Sequence, residues 1–178
     1  MTNNLDYQII ILGGGQSAAH AATTIRQYDS ESSIAIVTNE NYLPYERPPL
    51  SKKFLLNEVE IDEFLFFNEE HYKNLKIDIL KNEEIKNVNF EKNIIESNNN
   101  KISYNKLLIA TGCKNRKLNL ENVDQKDLFY LRDINESTKI KNKFNSSENI
   151  LIIGGGFIGL EIASSAKQLG KNVNVVEL

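Results

Sequence analysis

Cysteine is almost absent from this sequence, and other features that would place it in a special class are missing too. Cys113 is the only cysteine among 178 residues, so the chain can form neither an internal disulfide nor a dithiol pair. No apolar run is long enough to span a bilayer, and no Lys or Arg precedes Arg26, as a secretory signal would require. A formal net charge of -3 offers no excess of positive charge to nucleic acid or to an anionic membrane. With 40% hydrophobic and 25% charged residues, the composition is that of a globular protein, which we expect in the cytoplasm.

Two segments of the chain repeat one pattern. In each, a continuous apolar run (residues 9–12 and 150–153) leads into a glycine turn and then into a helical pattern. A second strand follows, predicted at 33–37 in the first copy and at 172–176 in the second. Because a continuous apolar run is typical of a strand buried on both faces of a parallel sheet, we expect both runs to be buried. The order strand, glycine turn, helix, strand is the opening of a dinucleotide-binding unit.

The small residues of each turn have separate predicted roles. Gly13 makes the tight exit from the strand, and Gly15 has no side chain, so a pyrophosphate can approach the backbone. Ala18 allows the helix to pack close to the strand. The corresponding residues of the second copy are Gly154, Gly156 and Gly159. The amino end of each helix then offers free N–H groups and a partial positive charge to phosphates, although packing alone would also explain the glycines.

Between the two copies, short apolar stretches predict a small antiparallel meander. Its strands are predicted at 76–80, 85–90, 93–97 and 102–104. A further buried strand is predicted at 107–110. The fold is therefore expected to be α/β, with two Rossmann-like dinucleotide-binding units, parallel sheets and an inserted antiparallel meander.

All three prolines lie in one short loop, LPYERPPLSK at 43–52. Adjacent prolines fix φ and remove backbone donors, so the loop is stiff. Stiffness suits a segment that must place a side chain accurately beside a ligand. Taken alone, however, the loop is explained better as a rigid helix entry with solvated charges.

Five motifs in this order resemble a known family. They are GGGQSA (13–18), LPYERPPLSK (43–52), LLIATG (107–112), YLR (130–132) and GGGFIGLE (154–161). Together they resemble flavoproteins of the pyridine nucleotide-disulfide oxidoreductase superfamily, and most of all the ferredoxin reductases of aromatic-ring dioxygenase and cytochrome P450 systems. The proline loop is the specific motif, because the glycine turns and the ATG are shared far more widely.

The resemblance implies a domain plan. Residues 1–112 would be the N-terminal part of an FAD-binding domain, residues 113–146 a crossing segment with a polar helix at about 133–144, and residues 147–178 the start of an NAD-binding domain. The family is about twice as long as this chain, so the chain is expected to be an N-terminal fragment that is inactive by itself.

The resemblance also implies the residues that contact FAD. The FAD pyrophosphate would lie on Gly13, Gly14, Gly15, Gln16, Ser17 and Ala18. Further contacts are expected from Arg47, Lys52, Ile85, Ala110, Thr111, Gly112 and Arg132. Lys52 would lie near the reactive flavin nitrogen, and Ile85 would offer its backbone to the adenine. The family usually has an acidic residue for the ribose hydroxyls where this sequence has Asn39, so adjacent Glu40 is a possible substitute.

NADH would lie on the second glycine turn, on Gly154, Gly156, Phe157, Ile158 and Gly159. Glu177 follows this turn by about 20 residues, where a dinucleotide unit has the acid that binds ribose hydroxyls. We therefore predict a preference for NADH over NADPH. We also predict that Lys52 and Glu161, placed in different domains, form an ion pair on the flavin side, because a buried lysine needs a carboxylate.

The implied activity is electron transfer from NADH through FAD to a ferredoxin-type iron–sulfur protein (ferredoxin-NAD(+) reductase). Reduction of a small molecule, as in monodehydroascorbate reductases, is the enzymatic alternative, and a flavin-binding redox sensor or an inactive fragment are the others. No cysteine precedes Cys113, so disulfide reductase chemistry is not expected, and Cys113 itself is interpreted as structural. His20 and His71 have no partner pattern for a metal or for general base work.

Overall fold

The computed structural model describes residues 3–177, which divide into two units. The first unit comprises residues 3–46 and 65–112, and the second comprises residues 47–64 and 113–177. The proline loop therefore belongs, from Arg47 onward, to the same unit as the second glycine turn. Which unit binds which cofactor stays a prediction at this point.

The first unit is built on a six-stranded sheet. Its strands are β1 (Asn3–Leu12), β2 (Ile34–Val37), β3 (Ile77–Leu80), β4 (Ile85–Asn89), β5 (Ile94–Ser97) and β6 (Asn100–Ile109), in the spatial order β3-β2-β1-β6-β5-β4. The strands β3, β2, β1 and β6 are parallel, whereas β4, β5 and β6 form an antiparallel meander. Two helices, α1 (Gln16–Tyr28) and α2 (Glu69–Asn74), belong to the same unit. The predicted combination of a parallel sheet and an inserted meander is confirmed, but the assignment of the strand at 76–80 to the meander was wrong, because that strand is β3, which pairs in parallel with β2.

Both faces of the central strands are covered. Every residue of 9–12 and of 34–37 is buried, as the continuous apolar runs predict. On one face α1 contributes the fully buried Ala18 and Ala22, whose small side chains let the helix approach the sheet. On the other face the meander contributes Ile95 and other apolar residues. This core fixes the position of the turn between β1 and α1.

The strand β6 differs from the prediction. We expected separate strands at 102–104 and 107–110, but one strand runs through the polar pair between them and pairs with β1 along its length. The sheet pairing thus overrides the local composition, which favours a break. Leu108 and Ile109 are 40% and 56% exposed, so the expectation of a fully buried strand at 107–110 was wrong.

The second unit is smaller. It contains α3 (Ile134–Ser146), β7 (Asn149–Ile153), α4 (Phe157–Gln168) and β8 (Asn172–Val176), with β7 and β8 parallel. One cluster of its core consists of Leu55, Ile140, Phe144 and Ala166. A 3-10 turn at Pro48–Ser51 carries the proline loop. The helix predicted at about 133–144 is α3, which begins after Asp133, whose carboxylate accepts a hydrogen bond from the Glu136 N–H (2.8 Å).

The apolar run of β7 is not buried on both faces as predicted. Leu151 is 62% exposed and Ile153 is 39% exposed. Phe157, at the start of α4, is 90% exposed. An apolar run predicts a strand, but whether that strand is buried depends on the elements that pack against it. Within residues 3–177, no element covers one face of β7.

The structure also shows the surroundings of Cys113, His20 and His71, for which no chemical role was predicted. Cys113 is exposed, so the expectation that it packs as a structural residue was wrong. His20 lies with its ring edge-on to Phe66, and His71 stacks on Phe67 with ring centroids 4.3 Å apart. No cluster of three or more potential metal ligands occurs among residues 3–177, and none of the helices there is long and apolar enough to cross a membrane.

The Arg26 side chain hydrogen-bonds to the backbone of two turns of the first unit. Its guanidinium donates to the carbonyl oxygens of Leu75 (2.7 Å), Asp29 (2.8 Å), Ser32 (2.8 Å) and Lys76 (3.0 Å). We expect Arg26→Ala to lower the free energy of unfolding of the first unit by about 2–4 kcal/mol, because several carbonyls lose a charged donor. Arg26→Lys should restore only part of this, since an ammonium lacks the planar fork. Urea denaturation measures both.

The matched control for this prediction is Lys73→Ala, which removes an exposed cation from α2. It should change the free energy of unfolding by less than about 0.5 kcal/mol. Equal effects of Arg26→Ala and Lys73→Ala would contradict the assigned role of the guanidinium.

Candidate functional site

The first glycine turn, Gly13 to Gly15, combines tight packing with one open position. Gly13 has a φ of 122°, and a Cβ there would lie 2.1 Å from the carbonyl oxygen of Ala110. A Cβ on Gly14 would lie 2.5 Å from Oγ1 of Thr38. At Gly15, in contrast, no heavy atom lies within 4 Å of the Cβ position. The first two glycines therefore serve the fold, while the space at Gly15 is free for a ligand.

The second glycine turn, Gly154 to Gly156, repeats this arrangement only in part: Gly154 has a φ of 107°, but unlike Gly13 it has no close neighbour at its Cβ position. The Cβ position of Gly156 is open, with no heavy atom within 4 Å. Three residues further on, a Cβ on Gly159 would lie 2.1 Å from the carbonyl oxygen of Gly154. Gly159 thus permits the close approach of α4 to the strand exit, the role that the sequence predicted for it.

The helices that follow the glycine turns have free amino ends. Both α1 and α4 begin after a glycine, have no side-chain cap and carry no acidic residue in the first turn. The other two helices are capped by Asn68 and Asp133 and carry acidic residues in the first turn. The first N–H groups of α1 and α4 are therefore available to a ligand, and the helix dipole favours an anion. Open glycine positions and uncapped helix ends together fit a pyrophosphate at each turn.

The two units differ at the end of the second strand. The N–H of the first glycine of each turn donates to the carbonyl of Val37 (2.9 Å) in the first unit and of Val176 (2.8 Å) in the second. The next residues, Thr38 and Glu177, therefore hold equivalent positions. The Glu177 carboxylate accepts a hydrogen bond from the N–H of Gly155, so the acidic group lies beside the glycine turn.

In the first unit this position is uncharged. Thr38 is 2% exposed, and its hydroxyl accepts a hydrogen bond from the N–H of Glu40 (3.2 Å). The Glu40 carboxylate accepts one from the hydroxyl of Tyr45 (2.6 Å), while Asn39 is exposed. The sequence pattern indicates Asn39 and Glu40 but not Thr38, because only the hydrogen bonds between the strand ends and the glycine turns show that Thr38 is equivalent to Glu177. Ribose binding by Asn39 or Glu40 stays a prediction.

Lys52 and Glu161 form the predicted ion pair. The Lys52 ammonium lies 2.6 Å from Oε1 of Glu161, and the Ser51 hydroxyl donates to Oε2 at 2.5 Å. These hydrogen bonds, first that of Lys52 and then that of Ser51, hold the pKa of the Glu161 carboxyl below its ordinary value. Two parts of the expectation were wrong: both residues lie in the second unit, and their side chains are 46% and 32% exposed rather than buried.

The remaining site residues are brought together only in part. Arg47 and Arg132 meet in the second unit, where the Arg47 guanidinium donates to the carbonyl of Arg132 (2.9 Å). In the first unit the N–H of Ala110 donates to Leu12 (2.7 Å), which places the 110–112 segment beside the first glycine turn. Ile85 is the first residue of β4. The cofactor contacts predicted for these residues stay predictions. Three serines were not predicted: Ser51, which lies in the proline loop, and Ser137 and Ser165, whose hydroxyls donate to the backbone of that loop.

These features are those of a protein with two dinucleotide-binding units. Each unit has a glycine turn followed by an uncapped helix whose amino end can bind phosphates. Comparison with known proteins gives the family. Residues 7–178 match the family described as pyridine nucleotide-disulphide oxidoreductase, and the chain belongs to it.

Individual relatives agree with this assignment. The chain is 36% identical over 170 residues to a rubredoxin-NAD(+) reductase of Ectopseudomonas oleovorans, an alignment that covers 95% of this chain and 44% of the relative. It is 35% identical over 169 residues to the ferredoxin--NAD(+) reductase component of a 3-phenylpropionate/cinnamic acid dioxygenase of Photorhabdus laumondii (94% and 43%). The crystal structure of the ferredoxin reductase for the CYP199A2 system of Rhodopseudomonas palustris superposes with a TM-score of 0.90 at 32% identity (96% and 42%). The chain thus spans less than half the length of these relatives.

Proposed function

We propose that this chain is part of an FAD-dependent oxidoreductase that carries electrons from NADH to a ferredoxin-type iron–sulfur protein. The main observation behind this proposal is the pair of glycine turns, in each of which the third glycine has open space at its Cβ position and is followed by an uncapped helix end. Two dinucleotide sites are what such a reaction needs, one for FAD and one for NADH. The names of the relatives support the acceptor, because they are reductases of rubredoxin and ferredoxin.

The first glycine turn is proposed for FAD and the second for NADH. At each turn, the N–H groups at the start of the helix would bind the pyrophosphate, and the open glycine would admit it to the backbone. The lone cysteine, together with the use of NADH, supports a cytoplasmic location.

The chain's own residues would bind and orient the reactants. When bound, the flavin supplies the chemistry, because it accepts a hydride and releases single electrons. The Lys52 ammonium, held by Glu161 and adjacent to Ser51, is proposed as the positive charge on the flavin side. Arg47 would be held for the same purpose by the carbonyl of Arg132. The proposal requires no protein nucleophile.

We also propose that the 178-residue chain by itself does not turn over NADH. Leu151 and Phe157 are largely exposed apolar side chains of the second unit, and such surfaces promote association. The test compares the isolated chain with the protein encoded by the whole reading frame that contains it, here called the whole-frame protein. We expect the isolated chain to bind little FAD and to show no NADH-dependent reduction of ferricyanide. A yellow, monomeric chain that reduces ferricyanide rapidly would contradict this.

The whole-frame protein tests the function itself. We expect it to be purified with FAD, to lose the visible absorbance of oxidised flavin on addition of NADH, and to reduce a ferredoxin. Absence of FAD, or flavin that NADH does not reduce, would overturn the proposal. Reduction of a small acceptor without transfer to a ferredoxin would favour the small-molecule reductase.

A further inference from the structure

Two buried serine hydroxyls hold the backbone of the proline loop. The Ser137 hydroxyl, on α3, donates to the carbonyl oxygen of Leu50 at 2.7 Å. The Ser165 hydroxyl, on α4, donates to the carbonyl oxygen of the next residue, Ser51, also at 2.7 Å. Ser137 is 0% exposed and Ser165 is 2% exposed. Two helices thus hold consecutive peptide groups just before Lys52.

Both serines depart from the usual behaviour of a hydroxyl in a helix. A helical Ser or Thr commonly donates to a carbonyl of its own preceding turn, as Thr138 does to Ile134 at 2.8 Å. Ser137 and Ser165 instead reach a segment far away in sequence. Alanine would favour the helix more and would bury no polar group, so the helices do not need these hydroxyls for themselves.

The contacts of α4 converge on one residue. Glu161 and Ser165 are four positions apart and therefore lie on the same face of the helix. The Glu161 carboxylate accepts a hydrogen bond from the Ser51 hydroxyl, and the Ser165 hydroxyl donates one to the backbone carbonyl of Ser51. The orientation of Ser51 is fixed at both its side chain and its backbone, and the residue that follows it carries the ammonium paired with Glu161.

We propose that Ser137 and Ser165 are positioning residues that hold Leu50 and Ser51 in place and thereby keep the Lys52 ammonium against the Glu161 carboxylate. Ser165 acts directly at Ser51, and Ser137 supports the preceding peptide group. The importance of this arrangement for catalysis rests on the proposed function, since Lys52 matters there as the charge on the flavin side. The positioning itself is a property of the second unit and can be measured without electron transfer.

The test is the titration of Glu161 in the whole-frame protein, followed by NMR of 13Cδ-labelled glutamate and assigned with Glu161→Gln. Lys52 and Ser51 are the groups that lower the pKa of this carboxyl. We expect Ser165→Ala to raise the pKa toward the ordinary value, because Ser51 and Lys52 are no longer held. Ser165→Cys, which keeps a similar volume but donates weakly, should act in the same direction. Ser137→Ala should have a smaller effect, and the double variant a larger one.

The matched control is Ser164→Ala, which removes an exposed hydroxyl from the adjacent position of α4 and should leave the titration unchanged. A lower melting temperature of Ser165→Ala and Ser165→Cys with an unchanged Glu161 titration would show a purely structural role and overturn the proposal. If Ser165→Ala does not fold, Ser165→Cys and Ser137→Ala decide in the same way. The titration involves no electron transfer, so its result tests the positioning proposal even if the proposed function is wrong.

Discussion

Gly15→Ala is expected to weaken FAD binding strongly while the first unit stays folded, whereas Gly13→Ala is expected to prevent folding. A Cβ on Gly15 meets no protein atom within 4 Å, and its φ of -99° suits any residue. The methyl group would instead occupy the space proposed for the pyrophosphate. We expect Gly15→Ala to weaken FAD binding by at least about 100-fold, equivalent to roughly 3 kcal/mol. Its free energy of unfolding should change by less than about 1 kcal/mol.

Gly13→Ala is the contrasting variant. Its Cβ would overlap the carbonyl oxygen of Ala110, and its φ of 122° is strained for any other residue. A loss of more than about 4 kcal/mol is expected, a large part of the stability of an ordinary domain. Circular dichroism with urea measures folding, and flavin fluorescence measures binding, in the whole-frame protein. Unchanged FAD affinity in a folded Gly15→Ala variant would contradict the assignment of the first turn.

A strong preference for NADH over NADPH is the second expected result. The Glu177 carboxylate lies beside the second glycine turn, where it accepts the Gly155 N–H. A carboxylate there can accept hydrogen bonds from ribose hydroxyls, but it repels a ribose phosphate. We expect kcat/KM for NADH to exceed that for NADPH by about 100-fold, and Glu177→Gln to reduce the ratio by about 10-fold, or roughly 1.4 kcal/mol.

Steady-state kinetics of the whole-frame protein with both cofactors provide the measurement. The control is Glu148→Gln, which removes an exposed carboxylate just before β7 and should leave the ratio unchanged. An equal or higher kcat/KM for NADPH in the unmodified protein would refute the role of Glu177. A Glu177→Gln variant with the original ratio would refute it as well.

The parts of the fold that the sequence predicted are those that depend on local pattern. Glycine turns between an apolar strand and a helix have few alternative conformations, so the roles of Gly13 and Gly159 could be predicted from the sequence. The same holds for α3, because Asp133 is a good helix cap.

The features that were missed depend on partners distant in sequence. The continuity of β6 through a polar pair follows from its pairing with β1. The equivalence of Thr38 and Glu177 follows from the hydrogen bonds between the strand ends and the glycine turns. The hydroxyls of Ser137 and Ser165 were missed because a serine in a helical pattern indicates nothing about the segment it contacts. In each case the deciding contact is one that periodicity does not encode.

The interruption of the first unit by residues 47–64 has a consequence for synthesis on the ribosome. The carbonyl oxygen of Leu50 accepts its hydrogen bond from Ser137, which is synthesised 87 residues later. At about 5–20 residues per second, translation of that interval takes roughly 4–17 s. The strands β1 and β6 can pair within this time, so the first unit is expected to fold before residues 47–64 form their contacts within the second unit. Slow codons or a chaperone acting between residues 112 and 165 would therefore affect the placement of Lys52 more than the assembly of the first sheet.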